Sequence, residues 1–104
     1  MSILDLDKID SIGVKDDTLI LLIIDYLDWQ YEDMHLEQLQ EKINNYLIFI
    51  QNKQYLEHYD GIQNIVISIQ FKFKLSQKAK QFIEIITKQL SEFNISLKIE
   101  SAEK

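Results

Sequence analysis

Cysteine, proline and arginine are absent from this sequence, and glycine occurs only as Gly13 and Gly61. Without cysteine there is no disulfide framework, no thiol nucleophile and no sulfur ligand for a metal, a composition that suits a reducing cytoplasm. All eleven basic residues are lysine. The planar fork that reads phosphates and guanines is therefore missing, and nucleic acid is not expected as a direct partner. Two isolated glycines exclude a glycine-rich phosphate loop and leave the turns to Asn, Asp and Ser. Histidine is scarce as well. His35 and His58 have no nucleophile at a diagnostic spacing, which leaves acid–base or triad chemistry unsupported, and both are expected at the surface. No apolar run reaches the roughly 18 residues of a membrane span. The opening MSILDLDKID carries acids where a signal peptide needs positive charge, so a cytoplasmic protein with no membrane contact is expected.

What the chain has in excess is carboxylate near its start. The first 37 residues hold Asp5, Asp7, Asp10, Asp16, Asp17, Asp25, Asp28, Glu32, Asp33 and Glu37 against Lys8 and Lys15, a local charge of −8. The other 67 residues hold seven acids and nine lysines, so the net charge of −6 belongs to one region. Charge of one sign gathered in one place points to a basic partner. At 104 residues and 46 % hydrophobic content, the chain is sized for one domain, residues 1–104, with a single core.

Ile9 to Val14 reads as a short strand, with Lys15-Asp16-Asp17 turning into Thr18 to Asp25, whose LILLII core is too apolar for a half-exposed strand. From about Asp33 to Asn52, Leu36, Leu39, Ile43, Tyr46, Leu47 and Ile50 recur at helical spacing, with acids in the first turn. After a connector over residues 54–61, Ile65, Ile67, Ile69, Phe71 and Phe73 alternate with Val66, Ser68, Gln70, Lys72 and Lys74 as a half-buried strand. Ser76 is placed to cap a second helix running to about Phe93, with the stripe Ala79, Phe82, Ile83, Ile86, Leu90 and Phe93. Ile48, Phe49 and Ile85 fall off the helical stripes and are expected within wide apolar faces. Asn94 stops the helix, Ile95, Leu97 and Ile99 form a last strand, and residues 101–104 read as a frayed tail. The fold class is α+β: a four-stranded mixed sheet in order β-β-α-β-α-β. Both helices pack on one face, because consecutive right-handed crossovers can share a side. The other face stays open, and an apolar strip there from Thr18 to Asp25 predicts a homodimer or a protein partner.

The densest mixture of acids and aromatics is the segment from Asp25 to His35, which joins a strand's C-terminal end to a helix start. Open α/β sheets commonly place sites there, and Trp and Tyr beside carboxylates resemble interface anchors. Asp25, Tyr26, Asp28, Trp29, Tyr31, Glu32, Asp33 and Glu37 are accordingly the candidate partner-binding residues. The plainer reading has Trp29 and Tyr26 plugging the core edge while the acids serve the helix start. Asp25, Asp28, Glu32 and His35 offer metal ligands but match no metal-loop spacing, so no metal or other cofactor is expected. Lys72, Lys74, Lys78 and Lys80 form the one basic cluster, which reads as a solvated face.

Three stretches, ILDLDKIDSIGV, DYLDW and HLEQLQEKINNYLIFI, together resemble a family of small bacterial proteins of about this length, over most of the chain. Some of its members are encoded beside polymorphic toxins, where they look like immunity proteins of Maf-type or contact-dependent inhibition systems. The resemblance transfers no catalytic motif. It implies a non-enzymatic immunity protein that neutralises a cognate toxin, a basic nuclease, by occlusion through the acidic face. The alternatives are a homodimeric structural or regulatory module without a toxin partner and, last, a small hydrolase or metal enzyme using Asp25, Asp28 and His35.

Overall fold

The computed structural model describes residues 3, 4, 6 and 8–101. The elements are β1 (Ser11–Lys15), β2 (Thr18–Asp25), α1 (Glu32–Gln51), a 3-10 turn (Gln54–Glu57), β3 (Asn64–Phe71), α2 (Gln77–Ser91) and β4 (Ile95–Ser101). The sheet order β1-β2-β3-β4 follows the chain, with β1 antiparallel to β2 and the pairs β2/β3 and β3/β4 parallel. This is a four-stranded mixed sheet of an α+β fold, its elements following one another as β-β-α-β-α-β, the succession read from the sequence. None of the helices is long and apolar enough to cross a membrane among the described residues.

The register explains the burial. Leu19, Leu21 and Ile23 of β2 stand level with Ile65, Ile67 and Ile69 of β3 and Ile95, Leu97 and Ile99 of β4. With a side-chain period of two they share one face. Against it lie Leu39, Ile43, Tyr46 and Ile50 of α1 and Ile86 and Leu90 of α2, in one core cluster. Both helices therefore cover the same side, as two sequential crossovers of one hand require. On the opposite face Ile20, Leu22, Ile24 and Val66 form a half-buried column, while Ser68, expected in water, is buried between Leu22 and Lys98 in register.

Element ends differ from the sequence reading where side chains replace backbone partners. β1 begins at Ser11 rather than Ile9 because the Ile24 N–H is met by the Asp10 carboxylate, Oδ2 at 2.8 Å, and not by a strand carbonyl. β3 ends at Phe71 because β2 has already ended: the Lys72 N–H donates to the carbonyl of Asp25, its last residue, at 2.8 Å, and Phe73 is left exposed. The connector after α1 carries a 3-10 turn that apolar spacing did not announce, entered through Lys53 at φ 56°. Ser76 does cap α2, accepting from the Ala79 N–H at 3.1 Å. Asn94, at φ 61°, stops the chain after it in a conformation Asn tolerates. Ser101 closes β4 rather than starting a tail, and residues 102–104, like Asp5 and Asp7 of the acidic region, lie outside the described residues. Ile48 and Ile85, expected inside wide apolar faces, are exposed, whereas Phe49 packs on the core.

One core position is charged. Lys42 is fully buried, its Nζ 2.8 Å from Asp10 Oδ1 and 5.9 Å from the centre of the Tyr46 ring. The Tyr46 hydroxyl accepts from the Asp10 N–H at 2.9 Å and donates to the Leu22 carbonyl at 2.5 Å. Together these groups tie the segment before β1 to α1 and satisfy β2 at and just beyond the residue that pairs with the start of β1. Burial pushes the Tyr46 phenol far above its ordinary value of 10.0, and the nearby Asp10 charge adds to it. From that pH upward the unfolded chain releases this proton and the folded chain keeps it, so folding takes up a proton and stability falls as pH rises. Urea unfolding at a series of pH values above 10.0 is expected to show a loss approaching about 1.4 kcal/mol per pH unit from this group, and Tyr46→Phe is expected to remove that share of the slope.

Candidate functional site

In the parallel part of the sheet both helices start at the C-terminal strand ends, so the N-termini of α1 and α2 lie together beside Asp25 and Phe71. The segment from Asp25 to His35 sits here, but its side chains divide between interior and surface.

Asp25 and His35 are interior groups, 1 % and 3 % exposed. His35 Nε2 lies 2.5 Å from Asp25 Oδ2 and Nδ1 lies 3.0 Å from the Asp28 carbonyl, while Asp25 Oδ1 accepts from the Leu27 N–H at 3.1 Å. A carbonyl only accepts, so Nδ1 donates to it, and Nε2 is the ring nitrogen that faces the Asp25 carboxylate. Trp29 stacks on the imidazole, ring centres 3.9 Å apart and 15° from parallel, with Phe71 tilted at 6.0 Å. The surface position expected for His35 is thus corrected: it faces the core one turn before Leu39, and a carboxylate and a carbonyl make that burial tolerable. Asp25 and Trp29, both candidates for contact with a partner, are occupied in the same way. Only the indole Nε1 of Trp29 lacks a hydrogen-bond partner among buried side-chain atoms of the described residues.

Glu32 and Asp33 join the two helix starts. The Ser76 hydroxyl that caps α2 donates to Glu32 Oε2, and Lys78 in the first turn of α2 pairs with Asp33 Oδ1. Carboxylates here also oppose the positive ends of two helix dipoles, although the α1 N-cap, Tyr31, makes no side-chain cap bond. The Asp33 carboxylate holds the exposed Lys78 ammonium above its usual range. The lysines of the basic cluster, Lys72, Lys74, Lys78 and Lys80, are all exposed, with Lys78 paired to Asp33 at the surface and Lys72 5.6 Å from the Phe73 ring.

The outward side of α1 is what remains for contact. Tyr31 is 67 % and Met34 59 % exposed, and with Leu4, Leu27, Asp28 and Gln38 they line a hollow of about 190 Å³. On the same side Glu37 and Glu41 are exposed, with no ion pair among the described residues. They border a groove of about 660 Å³ between α1 and α2 whose floor holds Leu36 and Phe82. Tyr26 is exposed and Asp28 holds the Gln30 N–H at 3.1 Å with one oxygen. Met34 and Glu41 were not singled out in the sequence, yet spacings of three and four from Glu37 put all three on one helix face. Of the residues that offer metal ligands in the sequence, Asp25 and His35 bond to each other, Glu32 bonds to Ser76, and no group of three potential ligands gathers among the described residues.

Fold and site together define a small α+β domain whose interior consumes part of its acidic cluster and whose first helix presents the rest beside exposed Tyr and Met. The chain belongs to a family of unknown function, DUF6572, matched over residues 1–103. No curated protein and no solved structure is significantly similar to it.

Proposed function

We propose that this protein is an immunity protein that binds a basic nuclease toxin by occlusion and performs no chemistry of its own. The observation that supports this reading is the outward side of α1, where Tyr31 and Met34 are exposed beside the carboxylates of Asp28, Glu37 and Glu41. An aromatic and a thioether side chain give a partner desolvatable anchors, and unpaired acids around them attract a surface that evolved to grip a polyanion. Asp25, Trp29, Glu32 and Asp33 contribute by holding this side in place, through the buried His35 and the tie to α2. Their bonds leave contact with the toxin to Tyr26, Asp28, Tyr31 and Glu37, with Met34 and Glu41 added.

The test is co-expression with the C-terminal domain of any large secreted protein encoded immediately upstream, scoring growth rescue and co-purification. Rescue with a stable complex supports the reading, and toxicity with neither rescue nor complex overturns it. In such a complex, Asp28→Asn, Glu37→Gln and Glu41→Gln combined are expected to slow association about tenfold or more at low salt and to flatten its salt dependence. Stopped-flow mixing at several ionic strengths measures both.

A further inference from the structure

The two edges of the sheet are finished differently. Where β2 overhangs the five-residue β1, the Ile24 N–H is taken by Asp10 and the Ile24 carbonyl by the Ile3 N–H at 2.9 Å, and at the last paired position, Leu22 opposite Ser11, the Leu22 carbonyl accepts from Tyr46. The opposite edge has no such cover. β4 runs regularly for seven residues, and among the described residues its backbone is hydrogen-bonded only to β3. A strand of this length with one free row of N–H and C=O groups is a template for another strand.

Lysine on an edge usually blunts it. Here Lys98 is followed two residues later by Glu100 on the same face, both exposed, with Nζ and Oε1 3.6 Å apart. That spacing makes the edge complementary to itself. When two copies of β4 pair antiparallel about a twofold axis normal to the sheet, residues of equal parity stand opposite each other. Centring the axis on Lys98 or on Glu100 sets like charges face to face. Centring it on Leu97 sets Lys98 against Ser96. Centring it on Ile99 sets each Lys98 against Glu100 of the second copy, twice, and brings the two half-buried Ile99 side chains together on the helical face. Cross-strand pairs of opposite charge favour a register and like pairs oppose it.

We propose that β4 is a self-association edge: two copies join antiparallel about Ile99, with reciprocal Lys98–Glu100 pairs, into one eight-stranded sheet. The occupant is a second copy because the charge pattern of the strand matches its own reverse. The open-face column is a weaker candidate, since Ile20, Leu22, Ile24 and Val66 are already half-buried by their neighbours. The inference is independent of the toxin reading, which concerns the far side of α1.

Sedimentation equilibrium of the full chain from micromolar to millimolar concentration tests it with charge reversals on exposed side chains. Lys98→Glu alone and Glu100→Lys alone are each expected to weaken the dimer about tenfold or more, since each turns two attractive pairs repulsive. The double variant restores opposite charges in the same register and is expected to return association close to that of the parent. A monomer throughout the range overturns the proposal. So does a dimer indifferent to both single reversals, in which case loss of association by Leu22→Asp places the contact on the open sheet face.

Discussion

Replacing Lys42 with methionine is expected to lower the free energy of unfolding by about 3–5 kcal/mol. The substitution keeps a long, flexible side chain in a helical stripe, so the loss of packing is small. What it removes is the cation 2.8 Å from Asp10 Oδ1, leaving a carboxylate with no side-chain exposure and no counter-charge. A buried ion pair adds little beyond its desolvation cost while intact, but breaking one side leaves the whole penalty of the other. Asp10→Asn in the same chain relieves that penalty, because the amide oxygen can still accept from the Ile24 N–H. The double variant is therefore expected to lose clearly less than the sum of the two single changes, and a double-mutant cycle in urea measures the coupling. Simple additivity would mean that the two side chains do not act as a pair.

His35→Leu is expected to cost about 3 kcal/mol or more for the same physical reason. It leaves Asp25 buried with the Leu27 N–H as its one remaining partner and orphans the Asp28 carbonyl. Asp25→Asn is expected to be milder, since the amide N–H can donate to Nε2 of the imidazole. Trp29 is the one tryptophan in the chain and lies against this ring, so its fluorescence reports the site directly. His35→Leu is expected to change that emission in the native state, whereas Lys42→Met is expected to leave it unchanged. The Lys42–Asp10 and His35–Asp25 pairs have no residue in common, so their losses are expected to add, to about 6 kcal/mol or more. Set against the roughly 5–15 kcal/mol of a typical domain, the combined variant is expected to be largely unfolded. Retention of a cooperative unfolding transition near that of the parent would refute both assignments.

Those two networks mark where reading the sequence succeeded and where it stopped. The succession of strands and helices along the chain, the Ser76 cap and the Asn94 stop were legible because each rests on local spacing or on a residue's own backbone preference. Lys42 was not, because a charged residue is assigned to solvent when hydrophobic period is the guide. The available signal was its position: Leu39, Lys42 and Tyr46 follow each other at three and four, so the lysine falls inside the buried stripe. Its partner lies 32 residues earlier, where no local pattern points to it. The candidate site divided for a related reason. Asp25, Glu32 and Asp33 read as a displayed acidic cluster, but Asp25 follows Leu19, Leu21 and Ile23 on the inward face of β2, while Ser76 and Lys78 reach the other two from α2. Net charge counts carboxylates and says nothing about which are already bonded.

Because the strands lie in the sheet in the order in which they occur in the chain, the topology permits assembly by addition at one side only. The β1–β2 hairpin closes through a two-residue turn, an inexpensive loop. β3 can then be added beside β2 across α1, and β4 beside β3 across α2. No strand has to be threaded between two that are already paired, and each long-range pairing closes a single helix-bearing connection. Sequential growth of this kind leaves partners 46 residues apart between β2 and β3 (Thr18 with Asn64) and 30 apart between β3 and β4 (Ile65 with Ile95), and these non-local parallel pairings are the slow steps of folding. It also suits a chain emerging from the ribosome, where each β-α unit can settle on a finished edge before the next is made.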